Sequence, residues 1–139
     1  MIVLDTNVVS EPMRARGNPA VTAWLDRQVA DTLYLTATSL SELLVGIELL
    51  PPGRRKSGLD AALAGLVAEL FGSRILPFDQ QAAMIYASLV GRARAKGHAI
   101  TVADGQIAAI AAARGFTVAT RDTAPFRAAG VPVMNPWEP

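Results

Sequence analysis

Met1-Ile2-Val3-Leu4-Asp5-Thr6-Asn7 opens the chain, and its reading decides the architecture. Apolar residues in succession, closed by an acid, read as a short buried strand. Working outward, Asn18 before Pro19 is a cap followed by a first-turn proline, and Val21, Trp24, Leu25 and Val29 supply the apolar face of a helix. Leu33 to Ala37 is strand-like. Ser39 then opens a helix to about Leu50, stopped by Pro51-Pro52-Gly53. The basic stretch around Arg54 reads as a connector, and Leu59 to Phe71 as a helix apolar over more than one face, closed by Gly72. Ile75 to Phe78 is a third strand. Asp79 caps a helix ending at Gly97, Thr101 opens another ending at Gly115, and Phe116 to Thr120 is a fourth strand. A short helix, Thr123 to Ala129, leads to a last strand, Val131 to Val133. Strands alternate with helices and no Asn-Gly hairpin joins two strands. The expectation is one α/β domain over residues 1–139, with a central, mainly parallel sheet of four to five strands flanked by helices on both faces.

Composition narrows the chemistry. With no cysteine, thiolate nucleophiles, disulfides and zinc ribbons are excluded. A single histidine, His98, leaves little scope for an imidazole metal site, so a bound metal must take oxygen ligands, which points to Mg²⁺ or Mn²⁺. The net charge is only +1, so basic residues matter by position: Arg14 and Arg16, Arg54-Arg55-Lys56, and Arg92, Arg94 and Lys96. A hydrophobic content of 51% is high for a domain with so small an interior, and predicts apolar surface covered by a partner or a second copy of the chain. No run is long enough to cross a membrane, and the N-terminus lacks the features of a signal peptide, so a cytoplasmic location is expected.

Four acids fall where a parallel sheet places its ligands, beyond the carboxyl ends of the strands. Asp5 ends the first strand, Glu42 lies in the first turn of the helix after the second, Asp104 in the first turn of the helix opened by Thr101, and Asp122 just past the fourth strand. Each has a plainer explanation. Ser39 to Glu42 and Thr101 to Asp104 both fit a capping box, and Asp5 and Asp122 fit ordinary turns. Their conjunction favours a site. Two carboxylates about 4 Å apart repel by roughly 4 kcal/mol at an effective dielectric near 20, so several on one rim require cations or protons. Hard, oxygen-ligated cations suit phosphodiester hydrolysis.

The motifs resemble those of the PIN-domain nucleases, and within them the VapC- and FitB-type toxins of toxin–antitoxin pairs. The resemblance rests on Met1 to Asn7, on Ser41-Glu42-Leu43 with Gly46, on Asp104-Gly105-Gln106-Ile107-Ala108-Ala109, on Ala119-Thr120-Arg121-Asp122, and on the ending Val133-Met134-Asn135-Pro136-Trp137. It implies Asp5, Glu42, Asp104 and Asp122 as metal-binding acids. Asp5 and Asp104 would be the most direct ligands, Asp122 would act partly through water, and Thr120 would lie near the metal or its waters. It further implies Mg²⁺- or Mn²⁺-dependent cleavage of RNA, a homodimer, and a small antitoxin that occupies the groove and binds promoter DNA at its other end, so that DNA is met only indirectly.

Arg14, Arg16 and Arg121 are the candidates for RNA-backbone contacts, although Arg121 could equally pair with a rim carboxylate. Trp24 and Trp137 read as packing residues, and His98 as a loop residue. The Leu59 to Phe71 helix is assigned to an interface. Three other functions compete with the ribonuclease. A catalytically silent PIN-fold binding module in a repressor complex would be inert with or without Asp5→Asn. An aspartyl-phosphate phosphatase would use Asp5 as nucleophile, but such enzymes commonly want a second carboxylate where Asn7 stands. A DNA nuclease would cut matched DNA in preference to RNA.

Overall fold

The computed structural model describes all of residues 1–139. Five strands form one sheet: β1 (Ile2–Leu4), β2 (Leu33–Thr36), β3 (Ile75–Leu76), β4 (Thr117–Ala119) and β5 (Val133–Met134). Their spatial order is β3-β2-β1-β4-β5 and every pairing is parallel. Seven α-helices flank it: α1 (Thr6–Ser10), α2 (Pro19–Asp26), α3 (Ala37–Glu48), α4 (Arg54–Gly65), α5 (Gln80–Ala95), α6 (Val102–Arg114) and α7 (Thr123–Ala128).

The alternation of side chains along each strand divides the interior in two. Val3, Leu76 and Val118 point to one face, where they pack with Leu89, Ile107, Ile110 and Phe126 from α5, α6 and α7. Leu4, Leu33, Leu35 and Ala119 point to the other, against Val8, Val21, Trp24, Leu43, Leu63 and Phe71. Both sheet faces are covered, as a parallel sheet requires. The chain leaves β1 towards β2 on one side and is joined by β4 on the other. The crevice between the ends of β1 and β4 is thus the topological switch point, where open α/β sheets bind ligands.

α1 and a 3₁₀ turn over Glu11–Met13 occupy the segment after Asp5, because Asp5 caps the first N–H and Pro12 sits in the turn. Three local expectations are corrected. The helix expected from Ser39 begins at Ala37, because Thr36 is the residue with extended backbone and its hydroxyl accepts from the Ser39 N–H at 3.0 Å. The basic stretch at Arg54 is helical rather than a connector; α4 starts there and continues as a π-helical segment over Leu66–Phe71 before Gly72 turns the chain with φ 52°. The last strand is displaced to Val133–Met134, since Val131 packs into the core before the strand begins.

Gly105, in the first turn of α6, lies against Tyr86 of α5. A Cβ there would lie 2.6 Å from Cε2 of Tyr86, whose ring is itself held edge-on to Phe78 at a centroid distance of 5.8 Å. Gly105→Ala is expected to destabilise the protein by about 1–3 kcal/mol, the usual cost of overpacking. Tyr86→Leu added to it should recover part of that loss in urea denaturation, and strictly additive effects would contradict the assigned clash.

Candidate active site

At the end of β1 the backbone N–H of Asp5 still bonds to the Ala119 carbonyl at 2.9 Å, so Asp5 leaves the sheet in register with β4. Its backbone is extended and it caps α1, Oδ1 accepting from the Thr6 N–H at 2.8 Å. Oδ2 accepts from Thr120 Oγ1 at 2.8 Å, and the same hydroxyl oxygen accepts from the Asp122 N–H at 3.1 Å. Thr120 is wholly buried. It therefore fixes the Asp5 carboxylate and the start of the loop bearing Asp122 through one atom.

Glu42 projects from the second turn of α3, not the first, and makes no cap. Its Oε1 accepts from Thr6 Oγ1 at 2.7 Å, which ties α3 to α1. Asp104 does sit in the first turn of α6, where Thr101 caps its backbone N–H at 3.1 Å. The two acid-bearing helices are joined directly, Thr38 Oγ1 donating to Gln106 Oε1 at 2.9 Å. Asp122 stands at the N-terminus of α7, yet its side chain makes no cap bond and is exposed.

Asp5 and Asp104 feel the charges of neighbouring acids. Burial pushes the Asp5 carboxyl from 3.8 up to about 6; the bonds from Thr120 and Thr6 oppose this, and the charges of Asp104 and Glu42 add to it. Asp104 is raised first by burial and then by the charges of Asp122 and Glu42, against the effect of Thr101. No basic side chain relieves the group, because the ion pairs of the chain are Arg14 with Glu11 and Arg74 with Asp31. No three of the acids come close enough together to form a complete metal-ligand cluster. An all-oxygen donor set, partly buried and uncompensated, fits Mg²⁺ or Mn²⁺.

A family model for the PIN domain matches residues 2–131. The chain belongs to the PIN domain family. Among curated relatives, this PIN domain is 50% identical over 139 residues to "VapC ribonuclease Y4jK" of Sinorhizobium fredii, covering 100% of this chain and 99% of the relative. It is 48% identical over 137 residues to "Toxin FitB" of Neisseria gonorrhoeae, covering 99% of each. Among solved structures, a chain of FitAB bound to an IR36 DNA fragment superimposes with a TM-score of 0.94 at 47% identity, covering 99% of this chain and 96% of that one.

Thr120, expected near the metal site, holds Asp5. Other residues of this PIN domain take places that the sequence did not announce: Thr6 holds Glu42, and only the unbroken Asp5-Thr6-Asn7 run signalled it. Glu11, an acid that looked unremarkable, is buried; it accepts from the Asn18 N–H at 2.9 Å and pairs with Arg14 at 3.6 Å. Arg14, although paired with Glu11, is exposed, as is Arg16. Asp79 caps α5 through the Ala82 N–H at 2.9 Å and is accounted for structurally. Arg121 pairs with none of the rim acids; its guanidinium carbon lies 5.4 Å from the centre of the Trp137 ring.

The Asp5 shift has a consequence for stability. Between 3.8 and about 6 the folded state holds more proton than the unfolded chain. Metal-free stability should therefore fall as pH rises through that interval and level off above it. The expected fall is on the order of 2–3 kcal/mol, read by urea denaturation in chelator between about pH 4 and pH 7. Asp5→Asn should remove most of the slope; an unaltered slope would assign it elsewhere.

Proposed function

We propose that this PIN domain, residues 1–139 acting as one nuclease unit, is the toxin of a toxin–antitoxin pair and a divalent-metal-dependent endoribonuclease. The observation that carries the reading is a set of four mutually repelling carboxylates, Asp5, Glu42, Asp104 and Asp122, without a basic partner at the switch point of a parallel sheet. The likeness to a protein named a VapC ribonuclease and to one named a toxin supports it.

In this reading Asp5 and Asp104 hold Mg²⁺ or Mn²⁺ most directly, with Glu42 beside them and Asp122 acting partly through water. When bound, the ion supplies Lewis acidity, acidifying water and offsetting charge on the scissile phosphate. The chain's own contribution is placement. Thr120 orients Asp5 and fixes the backbone at Asp122, Thr6 holds Glu42, and the Thr38–Gln106 bond sets α3 against α6. Burial raises the Asp5 carboxyl to about 6, so a cation held there would compete with a proton below that pH, and its binding would be linked to pH. Arg14, Arg16 and Arg121 contact the RNA backbone. An aspartyl-phosphate mechanism is disfavoured at Asn7, an amide whose side-chain oxygen is buried without a donor.

Two apolar surfaces suit partners. A cleft of about 550 Å³ is walled by Leu4, Val9, Met13, Leu25, Leu59 and Leu66 among others, on the helix pair formed by α2 and α4. Leu44 and Val45 of α3, and Leu49 just after it, are exposed elsewhere. The cleft is assigned to the antitoxin and the α3 surface to a second copy of the chain. DNA is reached through the antitoxin, in keeping with the DNA-bound FitAB complex. No helix is long and apolar enough to cross a membrane, and the proposed site of action is the cytoplasm.

Partner-free protein should cleave single-stranded RNA when Mg²⁺ or Mn²⁺ is added and lose that activity in chelator. Asp5→Asn should reduce the rate by more than the ~10–100-fold typical of residues that only orient ligands. Equal inertness of wild type and Asp5→Asn would leave a silent binding module, and preferential cutting of matched DNA would change the substrate.

A further inference from the structure

Arg121 occupies an unusual position for a free cation. Its chain neighbours are Thr120, which holds Asp5, and Asp122. An exposed guanidinium next in the chain to a carboxylate, Asp122, would ordinarily fold onto it and neutralise it. It does not do so here. Instead its carbon lies 5.4 Å from the centre of the Trp137 ring, within the range of a cation–π contact.

Trp137 is fixed in its turn. Its backbone N–H donates to Asn135 Oδ1 at 2.9 Å, and the Glu138 N–H donates to the Asn135 carbonyl at 3.0 Å, so the tail is wound into a tight turn. The indole is half-buried against the core cluster that contains Leu4 and Ala119, the last residues of the two strands flanking the crevice. The ring is thereby seated on the core layer to which both strand ends belong. A guanidinium resting on an aromatic face keeps its edge N–H donors free, and that fork matches two oxygens of a phosphate.

We propose that Arg121, held off the acids by Trp137, is an anion fork that grips a backbone phosphate of single-stranded RNA beside the scissile bond. Trp137 is the positioning residue. The inference rests on the nuclease reading for the identity of the polyanion, but the grip itself is separable from cleavage. A polyanion approaching the same rim needs a fixed cation at its edge.

The test is a titration of fluorescently labelled single-stranded RNA, followed by anisotropy in chelator over a series of KCl concentrations. Arg121→Ala should weaken binding about fivefold and make the slope of log Kd against log salt shallower by about 0.7, the value of one lost phosphate contact on a single strand. Arg121→Lys should retain the slope and recover only part of the affinity, because the fork is lost while the charge stays. Trp137→Leu should weaken binding although Arg121 is present, and Trp137→Phe should restore it. In cleavage with Mg²⁺ the Arg121 effect should fall on KM, with kcat little changed.

Wild-type affinity and slope in Arg121→Ala, or failure of the wild-type protein to bind RNA at all, would overturn the proposal. Wild-type binding in a folded Trp137→Leu would remove Trp137 from it. Should Trp137→Leu not fold, the two Arg121 variants, which alter an exposed side chain only, decide the matter. An Arg121-dependent slope in a protein that cleaves nothing with Mg²⁺ or Mn²⁺ would instead uphold the grip and sink the nuclease reading.

Discussion

Repulsion among carboxylates that no basic side chain offsets is the constraint around which this molecule is arranged. Asp5 is almost fully buried, Asp104 half-buried, and each is pushed towards its protonated form by burial and by the charges of its fellows. A fold optimised only for stability would replace such a group or pair it with arginine. Here two arginines lie in sequence close to the site, and both are engaged elsewhere: Arg14 on Glu11 and Arg121 on Trp137. The negative charge is left for something to bind.

The scaffold tolerates this because the acids are held from outside. Thr120 bridges the ends of β1 and β4 by hydrogen bonds to Asp5 and to the Asp122 backbone, Thr6 holds Glu42, and Thr38 and Gln106 join α3 to α6. Each acid sits on a regular element or directly after one, and those elements pack into two apolar layers on opposite sheet faces. Rigid support of this kind lets a charged crevice persist without collapsing onto itself. Its location follows from topology, since the ends of β1 and β4 meet where the strand order reverses.

Much of this was legible in the sequence, and the reasons are particular. Short apolar runs at Ile2–Leu4, Leu33–Thr36 and Thr117–Ala119, alternating with helical periodicity, specify a parallel sheet because no hairpin signal links them. The four acids were recognisable because each follows a strand or opens a helix. What escaped was tertiary. Ser39 looked like a cap, but Thr36 at the strand end took that role, which moved Glu42 out of the first turn and freed it from capping. The polar residues at Arg54–Ser57 concealed a helix start, because the apolar face of α4 only begins at Leu59. The Thr6–Glu42 and Thr38–Gln106 bonds, and the seat of Arg121 on Trp137, join residues far apart in sequence, so no local pattern announces them. PIN-domain membership, shown by the family model over residues 2–131, accounts for why the motif order carried so much.

If the acids form one group that takes up a cation, Asp5 surrenders a proton as the cation binds. Calorimetric titration of Mn²⁺ at pH 6, repeated in buffers of different ionisation enthalpy, counts that proton directly. With the Asp5 carboxyl at about 6, binding should release about half a proton or more, and Asp5→Asn should abolish both the release and most of the affinity. Binding without proton release, or binding unaltered by Asp5→Asn, would contradict the account.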